Sequence, residues 1–267
     1  LDVASNLDQS VFGVLNDLRS APGDLLMTRI SMMGEAPVLL ILCAALAAWL
    51  VIHRAWRTAL AVALAVAAEQ VLVAVLKLVF ARPRPIPLPA DAYEMSYSFP
   101  SGHAALSMLA FGLLAVVAGH AMGRWSKALV YSLAGMAIFL IGFSRLYLGV
   151  HWLGDVVAGI ALSGVIITAF GVTLEAWPAP RIRPLGMIGV ALTAWLLAAG
   201  TNIEVNGDAR EASYAPPLAT RSYTLQQWQQ AAWMVTPQRR VDLSGQSGDP
   251  LVAQWVGSLD NLETQLK

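Results

Sequence analysis

Charged side chains are scarce in this sequence, and cysteine is almost absent. Lys, Arg, Asp and Glu make up 13% of the 267 residues, whereas average soluble domains carry roughly 25%, and 57% of the residues are hydrophobic. Basic and acidic residues number 17 each, so no excess of positive charge supports a nucleic-acid partner. The lone Cys43 excludes an intramolecular disulfide. These shortages predict an integral membrane protein.

The start of the sequence also lacks two features. The first residue is Leu1 and not Met, and no basic-then-apolar signal segment precedes the chain's apolar stretches. We therefore expect the chain to be part of a longer protein. Fusion to, or association with, a further membrane domain is part of that expectation.

Long apolar stretches predict about six transmembrane helices, because a bilayer core requires about 20 apolar residues in helical form. The candidate spans, of which the last is the shortest, are 36–53, 57–80, 104–122, 127–144, 155–176 and 184–200. Before them, residues 7–33 alternate polar and apolar side chains at roughly helical spacing, and Pro22-Gly23 divides the region. We expect two helices lying in the membrane interface there. The predicted fold class is all-α, a polytopic membrane helix bundle.

Basic residues in the short links predict the orientation of the bundle. They occur in alternate links, as Arg54, Arg57, Arg124, Lys127, Arg181 and Arg183. Cations in short loops favour the cytoplasm, so the opposite side receives residues 81–103 and 145–154. Basic residues also occur on that opposite side, against this rule, and a functional anion site there would explain them. The predicted segments are N-terminal interfacial helices (1–35), a transmembrane domain (36–200) and a small extracytoplasmic tail (201–267).

Lys77 and Arg84 are candidate phosphate ligands near the outer end of the second predicted span. The run Arg82-Pro83-Arg84-Pro85 ends that helix, because proline cannot continue it. A guanidinium presents a rigid fork suited to phosphate oxygens, and lysine adds a mobile point charge. A snorkelling lysine beside a basic loop at the headgroup level is the alternative interpretation. For Arg82, a headgroup contact and an ordinary interfacial cation are both expected alternatives.

The tetrapeptide Pro100-Ser101-Gly102-His103 stands directly before an apolar stretch. Backbone N–H groups at a helix N-terminus are unpaired and favour anions, so Ser101 and Gly102 are candidate phosphate-binding residues. Gly102 permits close approach of the backbone to a ligand. A role for Ser101 as a helix N-cap is the alternative. The place of His103 in this tetrapeptide indicates an acid or a base.

Ser144-Arg145 ends one predicted span, and His151 and Asp155 begin the next. Residues four apart share a face of a helix, so His151 and Asp155 are expected to meet. A carboxylate bonded to one ring nitrogen fixes the tautomer and raises the nucleophilicity of the other nitrogen. Helix capping explains Asp155 alone, but not the whole set. The three segments together predict a phosphate site at a membrane surface.

These segments carry a resemblance to a known family. Lys77-x6-Arg84-Pro85, Pro100-Ser101-Gly102-His103 and Ser144-Arg145-x5-His151-x3-Asp155 resemble, without a departure, the three signatures of the type 2 phosphatidic acid phosphatase superfamily. The resemblance covers about 36–176, and three linked motifs in order make it highly specific. The resemblance implies that the predicted domain 36–200 is a transmembrane phosphatase domain.

The resemblance implies a metal-independent mechanism with no cofactor. His151 would attack phosphorus and form a phosphohistidine, and Asp155 would orient and charge it. His103 would protonate the leaving oxygen and then activate water. The equatorial phosphate oxygens would be held by Lys77, Arg84, Arg145 and the amides of Ser101 and Gly102.

The tail carries a weaker resemblance. Arg239-Arg240-Val241-Asp242-Leu243 and Asp249-Pro250-Leu251 look like the LssY-type C-terminal domain that follows such phosphatases. A tail of this size is small for an independent core. A poorly ordered extracytoplasmic tail is the alternative interpretation.

The predicted function is an integral membrane lipid phosphatase at the periplasmic face of a bacterial inner membrane. Its expected substrate is a phosphate monoester or diphosphate ester of a lipid, either undecaprenyl diphosphate or a phosphatidyl phosphate, and its expected partners are that lipid and the bilayer. A lipid phosphotransferase with the same site is an alternative, since only an acceptor separates the two reactions. A non-catalytic lipid-phosphate carrier is another, against which His103, His151 and Asp155 argue. The transmembrane spans argue against a vanadate-dependent haloperoxidase.

Overall fold

The structure, a computed structural model, describes residues 2–86, 97–176, 183–214, 226, 239–241 and 247–250. Within these ranges the helices are α1 (Asp2–Asp17), α2 (Ala21–Met33), α3 (Ala36–Ile52), α4 (Trp56–Phe80), α5 (Gly102–His120), α6 (Arg124–Tyr147), α7 (Leu153–Ala176) and α8 (Pro184–Tyr214). Two short strands, β1 (Arg239–Val241) and β2 (Ser247–Pro250), pair antiparallel. The predicted all-helical membrane bundle is confirmed, and the strands add a small β element in the tail that the prediction did not contain.

All six predicted spans fall on helices. The helices α4 to α8 are each long and apolar enough to cross a membrane, and α2 with α3 forms a sixth candidate as a pair bent by 40°. The chain is therefore a multi-pass membrane protein. Arg181, in the last predicted cytoplasmic link, and most of the predicted tail 201–267 lie outside the described residues.

Two helices precede the spans, as predicted from residues 7–33, but the break between them lies at residues 18–20. Pro22, which was expected to mark the break, lies in the first turn of α2. Proline is tolerated there because the first N–H groups of a helix have no intrahelical partner. The location of these helices in the membrane interface stays a prediction.

The helix α8 is longer than the predicted span 184–200, because it continues to Tyr214. The rise in polarity after residue 200 predicted the end of the span, but polar side chains at helical spacing continue the helix. Asn202 donates to the Met32 carbonyl at 3.3 Å and to Glu35 Oε2 at 3.0 Å. About two turns further along α8, Arg210 Nε lies 2.8 Å from Glu35 Oε1. These bonds to the α2–α3 turn give the polar half of α8 a partner that the sequence did not reveal.

The central helix of the bundle is α5, which packs against α3, α4, α6, α7 and α8. Its side chains Leu106, Leu109 and Leu113 are at most 2% exposed. By contrast, large apolar side chains such as Leu64 of α4 and Phe139 of α6 are exposed, as expected for helices that face lipid. The central position of α5 places its N-terminus, which carries Gly102 and His103, at the middle of one end of the bundle.

Candidate active site

The three predicted segments meet at one end of the bundle. Arg84 Nη1 donates to the Val150 carbonyl at 3.0 Å, which joins the segment after α4 to the α6–α7 link. The Ser101 amide donates to the Asp155 carbonyl at 3.0 Å, which joins the start of α5 to α7. The spacing of the motifs in the sequence therefore corresponds to one shared location in space.

A cavity of about 860 Å³ opens at this location. Five of the predicted site residues line it, namely Lys77, Arg84, Gly102, His103 and His151. The remaining three are fully buried: Ser101 precedes Gly102, Asp155 lies beside His151, and Arg145 contacts Ser31 and Tyr214. A volume of this size holds a phosphate together with a sizeable polar headgroup.

His151 is held between a carboxylate and a guanidinium. Its Nδ1 lies 3.5 Å from Asp155 Oδ2, and its Nε2 lies 3.2 Å from Arg84 Nη1. Arg84 has no lone pair to offer, so Nε2 is the acceptor and the ring proton resides on Nδ1, facing Asp155. Trp152 N–H donates to Asp155 Oδ2 at 2.9 Å and fixes the carboxylate. The ring thus presents a lone pair on Nε2 beside a cation, as a nucleophile for a phosphate requires.

Lys77 and Arg84 converge on one acceptor. Lys77 Nζ donates to the Tyr97 carbonyl at 2.7 Å, and Arg84 Nη2 approaches the same oxygen at 3.5 Å. The helix α4 ends at Phe80. The next residue, Ala81, caps it with a left-handed backbone (φ 42°), so the chain turns there and Arg84 shares an acceptor with Lys77. Two cations that share a single carbonyl oxygen are arranged to accept an anion in its place.

The start of α5 offers donors that differ in part from the predicted ones. The Ser101 amide is bonded to the Asp155 carbonyl, so it is not directed at a ligand. The Ser101 hydroxyl is buried and has no hydrogen-bond partner among the described residues. Gly102, the first residue of the helix, lines the cavity together with His103. Gly102 thus brings the N-terminus of α5 to the cavity, and the buried Ser101 hydroxyl lies next to it.

Arg145 lies away from the cavity lining. Its guanidinium is fully buried, and Nη1 donates to Ser31 Oγ at 2.6 Å and to the Tyr214 hydroxyl at 2.8 Å. The same group stacks over the Tyr214 ring at 5.5 Å. Arg145 thereby ties α2, α6 and α8 together behind the α6–α7 link. Its predicted role as a phosphate ligand stays a prediction.

Two further residues surround the site, and the sequence did not assign either of them to it. Arg82 Nη1 donates to Asp155 Oδ1 at 2.8 Å, and Nη2 donates to Asp8 Oδ2 at 2.6 Å. Arg82 was expected to be a headgroup contact or an ordinary interfacial cation, but it bridges two carboxylates. In the sequence, only the position of Arg82 in the run Arg82-Pro83-Arg84-Pro85 pointed to a place near the site. Nothing pointed to Asp8, because it lies in α1, far from the motifs in sequence.

Part of the cavity wall consists of polar side chains of α8, next to the ion pair of Arg210 with Glu35. It contains the amides Asn202 and Asn206 and the hydroxyl of Ser213, all on one face of α8. Deeper in the cavity, Glu69 of α4 is fully buried and accepts a hydrogen bond from the adjacent Gln70 side chain at 2.7 Å. Amides and hydroxyls recognise groups such as alcohols and esters without demanding a particular charge.

Gly159 of α7 is required where α7 crosses the start of α5. A Cβ at this position would come within 2.6 Å of the Ser101 carbonyl oxygen and 3.1 Å of the Ala105 nitrogen. Both atoms belong to the backbone, so Gly159→Ala is expected to displace the start of α5 and to lower stability by about 1–3 kcal/mol. Thermal unfolding in detergent measures this loss. Gly171→Ala on the same helix, where a Cβ meets nothing within 4 Å, is the control, and equal melting temperatures for both variants would contradict the prediction.

Comparison with known proteins places this geometry in context. A sequence model of the PAP2 superfamily matches residues 56–177, a stretch that contains all three motifs. Phosphatidylglycerophosphatase B of Bacillus subtilis (strain 168) is 39% identical over 72 residues, which cover 26% of this chain and 36% of that protein. The match thus spans about a third of that curated relative.

Solved structures are similar over more of the chain. The crystal structure of the first transmembrane PAP2 type phosphatidylglycerolphosphate phosphatase, from Bacillus subtilis, is similar with a TM-score of 0.59 at 27% identity. The similarity covers 68% of this chain and 90% of that one. The crystal structure of Aquifex aeolicus LpxE has a TM-score of 0.46 at 29% identity, over 63% of this chain and 94% of that one.

Proposed function

We propose, from the premise that residues 56–177 form a PAP2 superfamily domain, that the chain hydrolyses a phosphate ester of a lipid through a phosphohistidine on His151. The observation that carries the proposal is the arrangement of His151 itself. His151 lines a cavity together with Lys77 and His103, its Nε2 lies 3.2 Å from Arg84 Nη1, and its Nδ1 lies 3.5 Å from the buried carboxylate of Asp155. This is the arrangement of an activated nucleophile with its orienting group.

In the first step, His151 Nε2 attacks the phosphorus atom of the bound ester. The bond from phosphorus to the lipid oxygen breaks, and its electron pair leaves with that oxygen. His103, which enters the step protonated, donates its proton to the leaving oxygen, so the lipid departs as an alcohol. Asp155 stabilises the positive charge that develops on the His151 ring.

In the second step, His103 acts as a base and takes a proton from water. The hydroxide attacks phosphorus, the phosphorus–nitrogen bond breaks, and His151 recovers its lone pair. Free phosphate is the product. A covalent intermediate of this kind splits one difficult displacement into two easier steps.

The charge on the transferring phosphoryl group requires preorganised cations or donors. Lys77 and Arg84 supply two cations, which now share the Tyr97 carbonyl as acceptor, and the Gly102 amide and Ser101 hydroxyl supply neutral donors. Such groups act most strongly in a site from which water is excluded. Because these side chains provide the charge, the proposed reaction is independent of metal ions.

For the substrate, we favour a phosphatidyl phosphate over undecaprenyl diphosphate. The relatives compared above include a phosphatidylglycerophosphatase and a phosphatidylglycerolphosphate phosphatase, which supports a glycerophospholipid monoester. The amides and hydroxyl on α8 can bind the glycerol hydroxyl and ester groups next to the phosphate. From the basic residues in the opposite links, we place the site on the periplasmic face of a bacterial inner membrane.

The test is phosphate release by purified protein in detergent. Phosphatidylglycerol phosphate, phosphatidic acid and undecaprenyl diphosphate are compared, each with and without EDTA. We expect release that EDTA leaves unchanged, with the highest kcat/KM for phosphatidylglycerol phosphate. Loss of activity with EDTA that added Mg²⁺ restores would contradict metal independence. A preference for undecaprenyl diphosphate would overturn the substrate, and transfer to an added lipid alcohol without phosphate release would indicate the transferase.

A further inference from the structure

We propose that Asp8 and Arg82 form a positioning pair that holds Asp155, and through Asp155 the nucleophile His151, in place for the reaction. The inference rests on the proposed function, because it concerns the same nucleophile. Neither residue belongs to the three motifs, and Asp8 lies outside the segment 56–177 that matches the PAP2 superfamily. The pair therefore makes the N-terminal helix α1 a part of the enzyme that assembles its active site.

Asp8 is buried at the junction of α1 with α7. Asp8 is 5% exposed, and both oxygens of its carboxylate accept hydrogen bonds. Oδ2 accepts from Arg82 Nη2 at 2.6 Å, and Oδ1 accepts from the Gly154 amide at 2.8 Å. Gly154 immediately precedes Asp155, so Asp8 fixes both the guanidinium and the backbone beside the catalytic carboxylate.

Arg82 binds one oxygen of the Asp155 carboxylate and leaves the other oxygen to Trp152 and His151. Its Nη1 donates to Oδ1 at 2.8 Å, so Oδ2 is left to the Trp152 amide at 2.9 Å and to His151 Nδ1 at 3.5 Å. Burial disfavours its charge, but the hydrogen bond to Asp8 and the attraction of Asp155 outweigh burial and raise the pKa of Arg82. A planar, permanently charged fork that bridges two carboxylates fixes the rotation of each.

Aromatic contacts brace the same junction. The guanidinium of Arg82 lies 5.5 Å from the centre of the Trp152 ring, and Phe12 of α1 packs against that ring at 5.8 Å. Trp152 Nε1 donates to the Pro83 carbonyl at 2.9 Å. The helix α1 thus covers the link that carries His151, by ion pair and by ring contact together.

The pair also sets the charge that His151 experiences. Arg82 offsets the negative charge of Asp155, and Asp8 in turn offsets part of the charge of Arg82. Removal of Arg82 leaves Asp155 uncompensated, which favours the protonated ring of His151. Removal of the charge of Asp8 leaves Arg82 uncompensated, which disfavours the protonated ring. The two substitutions are therefore expected to move the acid limb of the pH profile in opposite directions.

Other charged groups around His151 are common to all variants. Among the described residues they are Lys77 and Glu69 of α4, Arg84 after α4, His103 of α5, Arg145 of α6, Asp155 of α7, and the pair of Glu35 with Arg210 in the cavity lining. Only Asp8 and Arg82 change in the test, so a shift in the acid limb reports their charges. The phosphate of the substrate titrates identically in every assay and does not alter the comparison between variants.

The experiment measures kcat, KM and the pH profile of kcat/KM for Asp8→Asn, Arg82→Gln and the double variant on phosphatidic acid in detergent. Asp17→Asn is the matched control, since Asp17 is an exposed carboxylate on the same helix. Melting temperatures are measured alongside, and kinetics are recorded below the lowest of them. Wild-type protein without activity would refute the proposed function itself and not this inference.

We expect Arg82→Gln to lower kcat by about 10- to 100-fold with little change in KM, because displaced catalytic groups cost up to that factor. Its acid limb should move up by roughly 0.5–1.5 pH units, and that of Asp8→Asn should move down by a smaller amount. The double variant should resemble Arg82→Gln, since Asp8 acts through Arg82.

Three outcomes would overturn the inference. The first is an Asp8→Asn variant that matches Asp17→Asn in kcat and acid limb. The second is a double variant whose loss equals the product of the single losses, which indicates independent roles. The third is a loss of stability or activity in both variants with acid limbs that stay at the wild-type position, which indicates a structural role alone.

Discussion

Replacement of His151 by alanine is expected to lower kcat for every lipid phosphate by roughly 10,000-fold or more, the scale on which loss of a covalent nucleophile acts in other enzymes. His151 is 3% exposed and lines the cavity, and its Nε2 lies 3.2 Å from Arg84 Nη1. No phosphoenzyme can form without that nitrogen, while the cations that bind phosphate remain. Phosphate release measured under single-turnover conditions gives the residual rate.

His120→Ala is the control for this variant. His120 is an exposed residue at the far end of α5, so its loss should leave kcat unchanged. Inorganic phosphate should still compete with the substrate for binding to His151→Ala, because Lys77 and Arg84 remain. An alanine variant that retains a tenth of the wild-type rate would contradict the assignment of the nucleophile.

Substitution of Asp155 by asparagine is expected to lower kcat by roughly 100- to 10,000-fold, as the loss of an orienting carboxylate does in related arrangements. Asparagine keeps the shape of the side chain, but it removes the charge that faces His151 Nδ1 and Arg82 Nη1. The ring then loses its fixed tautomer and the stabilisation of its positive form. The loss should appear in kcat and not in phosphate affinity, because Lys77 and Arg84 are unchanged.

The affinity for inorganic phosphate, measured by competition, should therefore stay within about threefold of wild type. Asp208→Asn, an exposed carboxylate of α8, serves as the matched change elsewhere in the bundle. A large loss of phosphate affinity with kcat preserved would mean that Asp155 supports binding and not the nucleophile. The Arg82 interaction with Oδ1 makes this substitution and Arg82→Gln interdependent, so their losses should not add.

The sequence predicted the helical bundle well because each span is a continuous apolar run, which needs no knowledge of its neighbours. The match of residues 56–177 to the PAP2 superfamily model was also predictable, since the three motifs are residues at short, constant spacing. Gly102 and His103 begin α5, as their place before an apolar stretch indicated. Contacts across the bundle were not predictable in the same way. Nothing in residues 1–17 indicates that Asp8 bonds to Arg82, because the two residues are far apart in the chain and no motif contains both.

The same limit explains the differences at Ser101 and in α8. The Ser101 amide is bonded to the Asp155 carbonyl, a contact that depends on how closely α5 and α7 approach at Gly159. The helix α8 continues past residue 200 because Asn202 and Arg210 find Glu35 and the α2–α3 turn as partners. The local polarity favoured a helix end there, and the tertiary contacts outweighed it. The LssY-type resemblance of the tail stays a prediction, and Asp242, Leu243 and Leu251 lie outside the described residues.

Direct detection of the phosphoenzyme tests the central claim. The variant His103→Asn lacks the base that the proposed mechanism uses to activate water. An aryl phosphate, whose leaving group needs little protonation, should therefore phosphorylate this variant faster than water releases the phosphate. Alkaline quenching preserves phosphohistidine, and peptide mass spectrometry then locates the phosphate. We expect a burst of aryl alcohol matched by phosphate on His151, and neither in the His103→Asn/His151→Ala double variant. A burst of aryl alcohol without protein-bound phosphate, or with phosphate on another residue, would contradict the proposed mechanism.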